Sequence, residues 1–285
     1  MWAWFYHPTK LPQAYRKWIS SAAAVDPRLI EALRRCRAGE LRYGSPSSSE
    51  HAQLLQPMCA EYGWPLQWGD PSVAVPFPCE MVHMGTGPSC ERHALARFAR
   101  SIKWALATYL PLNLLVVARA RRRWNRRALV TALISATRSS AFLGAFIALF
   151  YYGVCLARTR VGPHVVRPGP ALTEDQNTNK DKDNDQDSHA RRCQRIDGGL
   201  CVGAGCALCG WSILLEKPGR VANMALFVAP RALATLLPRR YPLARQWRET
   251  LAFALAAAVV LPTAQENPAR VRGVLGKVLR AVLEP

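Results

Sequence analysis

The sequence predicts an all-α membrane protein. Its expected form is about four to five transmembrane helices packed through small residues, plus a loop-rich, cysteine-containing N-terminal region. Three observations point there. Residues 198–215 read GGLCVGAGCALCGWSILL, eighteen residues without a charge. As a helix they measure about 27 Å, close to the hydrocarbon thickness of a bilayer. Small residues recur every four positions in that run (Gly199, Gly203, Ala207, and in parallel Cys201, Gly205, Cys209). Such rows let helix backbones approach closely in lipid, whereas in water each glycine costs a helix about 0.8–1.0 kcal/mol against alanine. Finally, the net charge of +19 is unevenly placed. Residues 1–100 hold 11 Lys+Arg and 8 Asp+Glu, about +3, and residues 101–285 carry the other +16 in clusters beside apolar runs. Basic flanks around apolar segments suit a membrane with anionic lipids. No nucleic-acid-binding motif is visible, so nucleic acid is not expected as a partner.

Residues 1–100 are expected to be helical and loop-rich. Trp2, Trp4, Tyr6, Tyr15 and Trp18 are either interfacial anchors or packing residues. The opening MWAWFYHP lacks the basic and apolar regions of a cleavable signal. Asp26-Pro27 is a helix start, with Asp as N-cap and Pro at the first position. Leu29, Ile30, Leu33 and Cys36 follow one face, and Gly39 marks the end. Residues 43–49 read as a flexible loop. Five prolines between 57 and 78 argue for irregular structure.

Cys79, His83, Cys90 and His93 then fall within fifteen residues. All four side-chain types ligate zinc, but the spacing C-x3-H-x6-C-x2-H is not that of a standard finger. A Cys79–Cys90 disulfide and ordinary packing are the alternatives. Of the nine cysteines, Cys155, Cys201, Cys206 and Cys209 sit inside apolar runs, where cysteine acts as a small hydrophobe.

Residues 101–157 are expected to form a first membrane helical pair. Pro111 should kink its first member, and six arginines between 119 and 127 separate it from the second. Residues 128–157 carry one internal charge, Arg138, and a small-residue row of Ser140, Gly144 and Ala148. Arg138 can snorkel, or pair with Glu216, the acidic residue bordering the spans. Residues 158–197 are expected to be a disordered polar linker, because 173–189 are almost wholly Asp, Asn, Gln, Lys, Thr and Ser.

Residues 198–262 form the second membrane region. The turn Lys217-Pro218-Gly219-Arg220 should fold the first run onto residues 221–237 as a hairpin, with Arg231 as a third intramembrane charge. Residues 251–261 are a short alanine-rich span. In the tail, 263–285, Val271, Val274, Leu275, Val278, Leu279 and Val282 make an apolar stripe opposite basic residues, a basic amphipathic helix for a membrane surface. The packing residues of this reading are Gly199, Gly203, Gly205, Ala207 and Gly144, and the same rows allow homo-oligomers. No general base with an orienting carboxylate, P-loop or nucleophile elbow is visible, so neither an enzyme nor a cofactor is expected.

The chain resembles the transmembrane protein 135 family, especially its fungal members. The resemblance rests on Pro78-Cys79-Glu80-Met81-Val82-His83 with Pro88-Ser89-Cys90, then Tyr109-Leu110-Pro111-Leu112. It continues through Arg138-Ser139-Ser140-Ala141-Phe142-Leu143, Gly205-Cys206 to Glu216, and Ala229-Pro230-Arg231-Ala232. These segments span residues 78 to about 240; the turn after Glu216 departs from the family pattern. The family has a cysteine-rich N-terminal region and a membrane region similar to mitochondrial import-translocase channel subunits. The resemblance implies a multi-pass protein of the peroxisomal membrane first and the mitochondrial membrane second, tied to lipid homeostasis or organelle dynamics. It carries over no catalytic residue. A pore or translocator, with Arg138, Glu216 and Arg231 facing one cavity, is the alternative.

Overall fold

A computed structural model describes residues 1–45, 51–119, 126–168, 182–236 and 247–266. Among these residues the structure is helical, with no strand. They group into two units, Met1–Ala232 and Leu233–Pro285.

The first unit opens with α1 (Trp2–Tyr6), α2 (Gln13–Ala23) and α3 (Pro27–Ala38). Helix α3 starts as its sequence dictates. Asp26 accepts a hydrogen bond from the Arg28 backbone, Pro27 occupies the first turn, and Gly39 closes the helix at φ 78°. Helix α4 (Ala52–Tyr62) runs through Pro57, where irregular chain is expected from the proline density. The segment is held from outside: Gly69 lies so close to α4 that a Cβ there would sit 2.7 Å from the Gln56 nitrogen. Helix α5 (Cys79–His83) is a single short turn of chain before the two long helices.

Helices α6 (Cys90–Arg119) and α7 (Arg126–Thr159) form an antiparallel pair, about 45 and 51 Å long at 1.5 Å per residue. Gly144 lets them close, since a Cβ there would lie 2.7 Å from Ile102 and 3.3 Å from the Phe98 carbonyl. After α8 (Gly162–Val165) and α9 (Lys182–Arg195), a π-type turn at Ile196–Leu200 leads into α10 (Cys201–Cys209). Helix α10 lies against α7 through a glycine-on-glycine contact, where a Cβ on Gly153 would sit 2.8 Å from Gly205 Cα. A 3-10 turn, Gly210–Leu215, and α11 (Pro218–Ala234) follow. The second unit contributes α12 (Trp247–Glu266), an apolar helix that is exposed along nearly its whole length.

Three expectations change. Of the four to five expected spans, two helices among the described residues have the length and composition to cross a membrane, Leu129–Thr159 and Asp185–Leu215. Residues 182–195 are helical where composition alone predicts disorder. Tertiary contacts order them: Ala190 and Cys193 are buried, and Gln194 donates to the Cys36 and Leu41 carbonyls at 2.7 Å each. Residues 169–181, the arginine-rich stretch 120–125, the loop at 46–50 and the amphipathic tail from 267 lie outside the described residues. The hairpin predicted for 198–237 is also incomplete, since α11 has no buried residue.

The packing residues fall into three groups. Gly144 and Gly205 mark helix contacts with α6 and α7, respectively. Gly199 and Gly203 instead face Trp2 of α1, and Gly199 adopts φ 147° at a kink. Ala207 is exposed.

Candidate metal centre

Three chain segments converge at the end of α7. Cys79 and His83 are four apart on α5, which puts both on one face of a helical turn. Met84, Gly85 and Gly87 all have positive φ (48°, 82° and 92°), and this reversal returns the chain to Cys90 at the start of α6. Cys155 arrives on α7, one turn before the helix ends. The ligand atoms of Cys79, His83, Cys90 and Cys155 all lie within 4.8 Å of one another. His83 and Cys155 are buried, and Cys79 and Cys90 are half-buried.

Hydrogen bonding decides the His83 tautomer. Its Nδ1 is 2.7 Å from the Gly87 carbonyl, which can only accept, so Nδ1 carries the proton. In the neutral ring the Nε2 lone pair is then left facing the cysteines, 3.4 Å from Cys155 Sγ. The Cys79 thiol is pulled down to about 4, first by the hydrogen bond from Cys155 and then by His83 and Arg158, against the opposing effect of burial. Burial, reinforced by the charge on Cys79, pushes the Cys90 thiol up. Burial lowers His83, but its bonds to Cys79 and the Gly87 carbonyl outweigh it and leave it raised.

His93 is not the fourth donor. It stacks on His83 with ring centroids 4.6 Å apart and meets the edge of Tyr151 at 5.2 Å. Thr86 Oγ1 donates to the His83 carbonyl at 2.8 Å and so accepts from His93 Nδ1 at 2.6 Å. Burial, then the neighbouring Arg97 and His83, push His93 down to about 3, so it is neutral. It is a wall behind His83. The donor that sequence reasoning missed is Cys155, and the reason is physical: a cysteine in an apolar run carries no signal that separates a ligand from a hydrophobe.

A buried ion pair supports the cluster. Arg158 Nε and Nη2 donate to Asp197 at 2.6 and 2.9 Å, and Nη2 also reaches the Phe77 carbonyl at 3.0 Å. Tyr43 donates to the same carboxylate at 2.6 Å. Phe77 is two residues before Cys79, so this pair ties the approach to α5 onto α7 and onto the turn before α10.

Arg138, Glu216 and Arg231, expected as intramembrane charges, have separate partners. Glu216 is buried and accepts from Ser139 at 2.8 Å, with Arg220 at 3.7 Å. Arg138 does not pair with Glu216; it donates to the Leu215 carbonyl at 2.8 Å and is exposed. Arg231 donates within its own helix to the Phe227 carbonyl and lies over the Phe227 ring at 3.5 Å.

Comparison with family models finds no match, and no curated protein or solved structure matches the chain.

Proposed function

We propose that the chain is a non-enzymatic, multi-pass protein of an organellar membrane that organises lipid through helix packing. The reading rests on one observation. Along α7 no residue from 141 to 158 is exposed, yet Val130, Leu133 and Ile134 are 52%, 46% and 57% exposed, and so are Leu112 and Leu115 on the facing part of α6 at 54% and 58%. A patch of large aliphatic side chains at one end of a bundle suits lipid better than water. Trp211 and Leu214, beside the same end, extend it at 67% and 74% exposure.

The finer reading has four to five spans, with α6, α11 and α12 joining the two long apolar helices. Anionic lipid meets the basic flanks, and homo-oligomers form through the small-residue rows. The resemblance to the transmembrane protein 135 family adds the peroxisomal membrane, with the mitochondrial membrane second, and a role in lipid homeostasis or organelle dynamics. Carbonate extraction of isolated organelles, with protease protection, tests this. The protein should stay in the pellet with protected fragments; recovery as a monomer in the carbonate supernatant overturns the reading.

One observation favours a second reading, a pore or translocator for lipid-related cargo. Glu216 is buried and accepts from Ser139, and the next residue on α7, Ser140, is buried with a hydroxyl that has no hydrogen-bond partner. Glu216 lies in the bend just after the apolar stretch 185–215, and a buried carboxylate bordering a membrane span supports a polar path there. Reconstituted protein should then move lipid or ions, and Glu216→Gln should cut the flux; no flux from the wild type removes this reading.

A further inference from the structure

We propose that Cys79, His83, Cys90 and Cys155 form a closed, four-coordinate site for one zinc-type divalent cation, which clasps the N-terminal region to the end of α7. The inference does not depend on the membrane reading, since the same site would work in a soluble helical protein.

The donor set comes first. Three sulfurs and one imidazole nitrogen are among the standard structural zinc sets, with bonds of about 2.3 Å to sulfur and 2.0–2.1 Å to nitrogen. Donors around such an ion sit about 3.5–3.8 Å apart by tetrahedral geometry. The four atoms here already lie within 4.8 Å of one another, so side-chain adjustment alone closes the shell. Orientation comes second. A ligating histidine holds its other ring nitrogen on a carbonyl or carboxylate, which is what His83 Nδ1 does with Gly87. Charge comes third. Three thiolates on a dication leave one negative charge, and Arg158, three residues after Cys155 on α7, is a cation bonded to the Phe77 carbonyl two residues before Cys79. Arg158 Nη1 is also buried without a hydrogen-bond partner.

A disulfide is the competing use of these cysteines. Joining two of them releases two protons and two electrons to an oxidant and leaves a third thiol and His83 with no role. The cation uses all four donors. On loading, each thiol still protonated gives its proton to solvent, and no electrons move. With four protein donors there is no open coordination position, so the ion is structural. It joins α5, α6 and α7, the last two by residues separated by nearly the whole helical hairpin.

The test uses the full chain, purified in detergent with reductant and supplied with zinc alone. Elemental analysis should find one zinc per chain. Cobalt exchanged into the site should give thiolate-to-cobalt charge transfer and the strong visible bands of a tetrahedral ion. In the wild type, zinc should protect Cys79, Cys90 and Cys155 from alkylation, and a chelator should expose them. His93→Gln should keep one ion per chain. Cys155→Ser should weaken binding by more than the roughly 10–100-fold seen when only a supporting residue is lost. Substoichiometric zinc, a cobalt spectrum without thiolate bands, or unchanged binding in Cys155→Ser overturns the proposal. So does a Cys79–Cys90 disulfide in the reduced preparation. If Cys155→Ser does not fold, the wild-type cobalt spectrum and alkylation map decide alone.

Discussion

The two ends of the α6–α7 pair are both rich in apolar residues, but they are finished differently. At one end, Leu143, Ile147, Phe150, Tyr151 and Val154 of α7 are buried against Trp4, Phe5, Ile19 and Ile30 of the N-terminal helices. Beside them sit the cysteine–histidine cluster and the Arg158–Asp197 pair. At the other end, Val130, Leu133 and Ile134 are about half exposed among the described residues. Hydropathy gives one long apolar helix, Leu129–Thr159. The fold gives two half-helices in different surroundings, one in a protein core and one whose exposed leucines suit lipid. An apolar run of spanning length can therefore be half core.

The sharpest way to break the capped end is at its ion pair. Asp197→Ala removes the partner of a fully buried guanidinium and of the Tyr43 hydroxyl. Losing one member of such a pair typically costs about 3–5 kcal/mol. Thermal unfolding in detergent should show a large fall in the midpoint, and Arg158→Met with Asp197→Leu together should cost less than the two single changes added. Additive losses would mean that the pair is not coupled.

The bare end breaks in another way. Ile134→Lys puts a charge where the side chain is 57% exposed, so in water it should be nearly neutral. At the centre of a membrane helix a lysine costs about 2.5–3.5 kcal/mol on insertion scales, and at Ile134, near one end of the stretch 129–159, the cost is a fraction of that. A lower membrane-integrated fraction, read by carbonate extraction, is expected; unchanged integration with unchanged stability would place this end in water.

Glycine contacts sharpen the contrast on a smaller scale. Gly153→Ala drives a Cβ to 2.8 Å from Gly205 Cα and 3.0 Å from the Ala204 carbonyl, both backbone atoms that cannot swing away. Overpacking of that kind costs about 1–3 kcal/mol. Gly210→Ala meets nothing within 4 Å and should be neutral or slightly stabilising. Denaturant midpoints of the two variants should therefore move apart; equal shifts would mean that the close approach of α7 and α10 is not tight.

What sequence could reveal follows from how local each signal is. The start and stop of α3 are written in Asp26, Pro27 and Gly39, because caps act within one turn. The all-helical class follows from long apolar runs. Cys79, His83 and Cys90 stand out because they fall within twelve consecutive residues. Cys155 does not, because only the folding of α6 back along α7 brings it there, and His93 fits the spacing while its ring is held by Thr86. Residues 182–195 look disordered by composition because their order comes from Cys36, Leu41 and Tyr43, far away in the chain. The Arg158–Asp197 pair is likewise a meeting of residues with no local pattern to announce it.

The smallest effect tests how far the capped end depends on its N-terminal helices. Asp26 caps α3, whose Ile30 packs with Phe150 in the shared core. Burial pushes the Asp26 carboxyl up, but the hydrogen bonds and charge of Arg28 outweigh it and leave it lowered. A carboxyl lowered in the folded state stabilises the fold above its ordinary value, and that contribution fades as pH falls through the folded-state value. Stability should therefore decline below about pH 4, the ordinary range for aspartate. Replacing the cap, Asp26→Ala, should cost about 1 kcal/mol at neutral pH and flatten that acid slope. Unfolding midpoints measured from pH 7 down to pH 3 for both proteins check it. If the two curves stay parallel, the cap does not titrate with folding, and α3 is held to α7 by its apolar face alone.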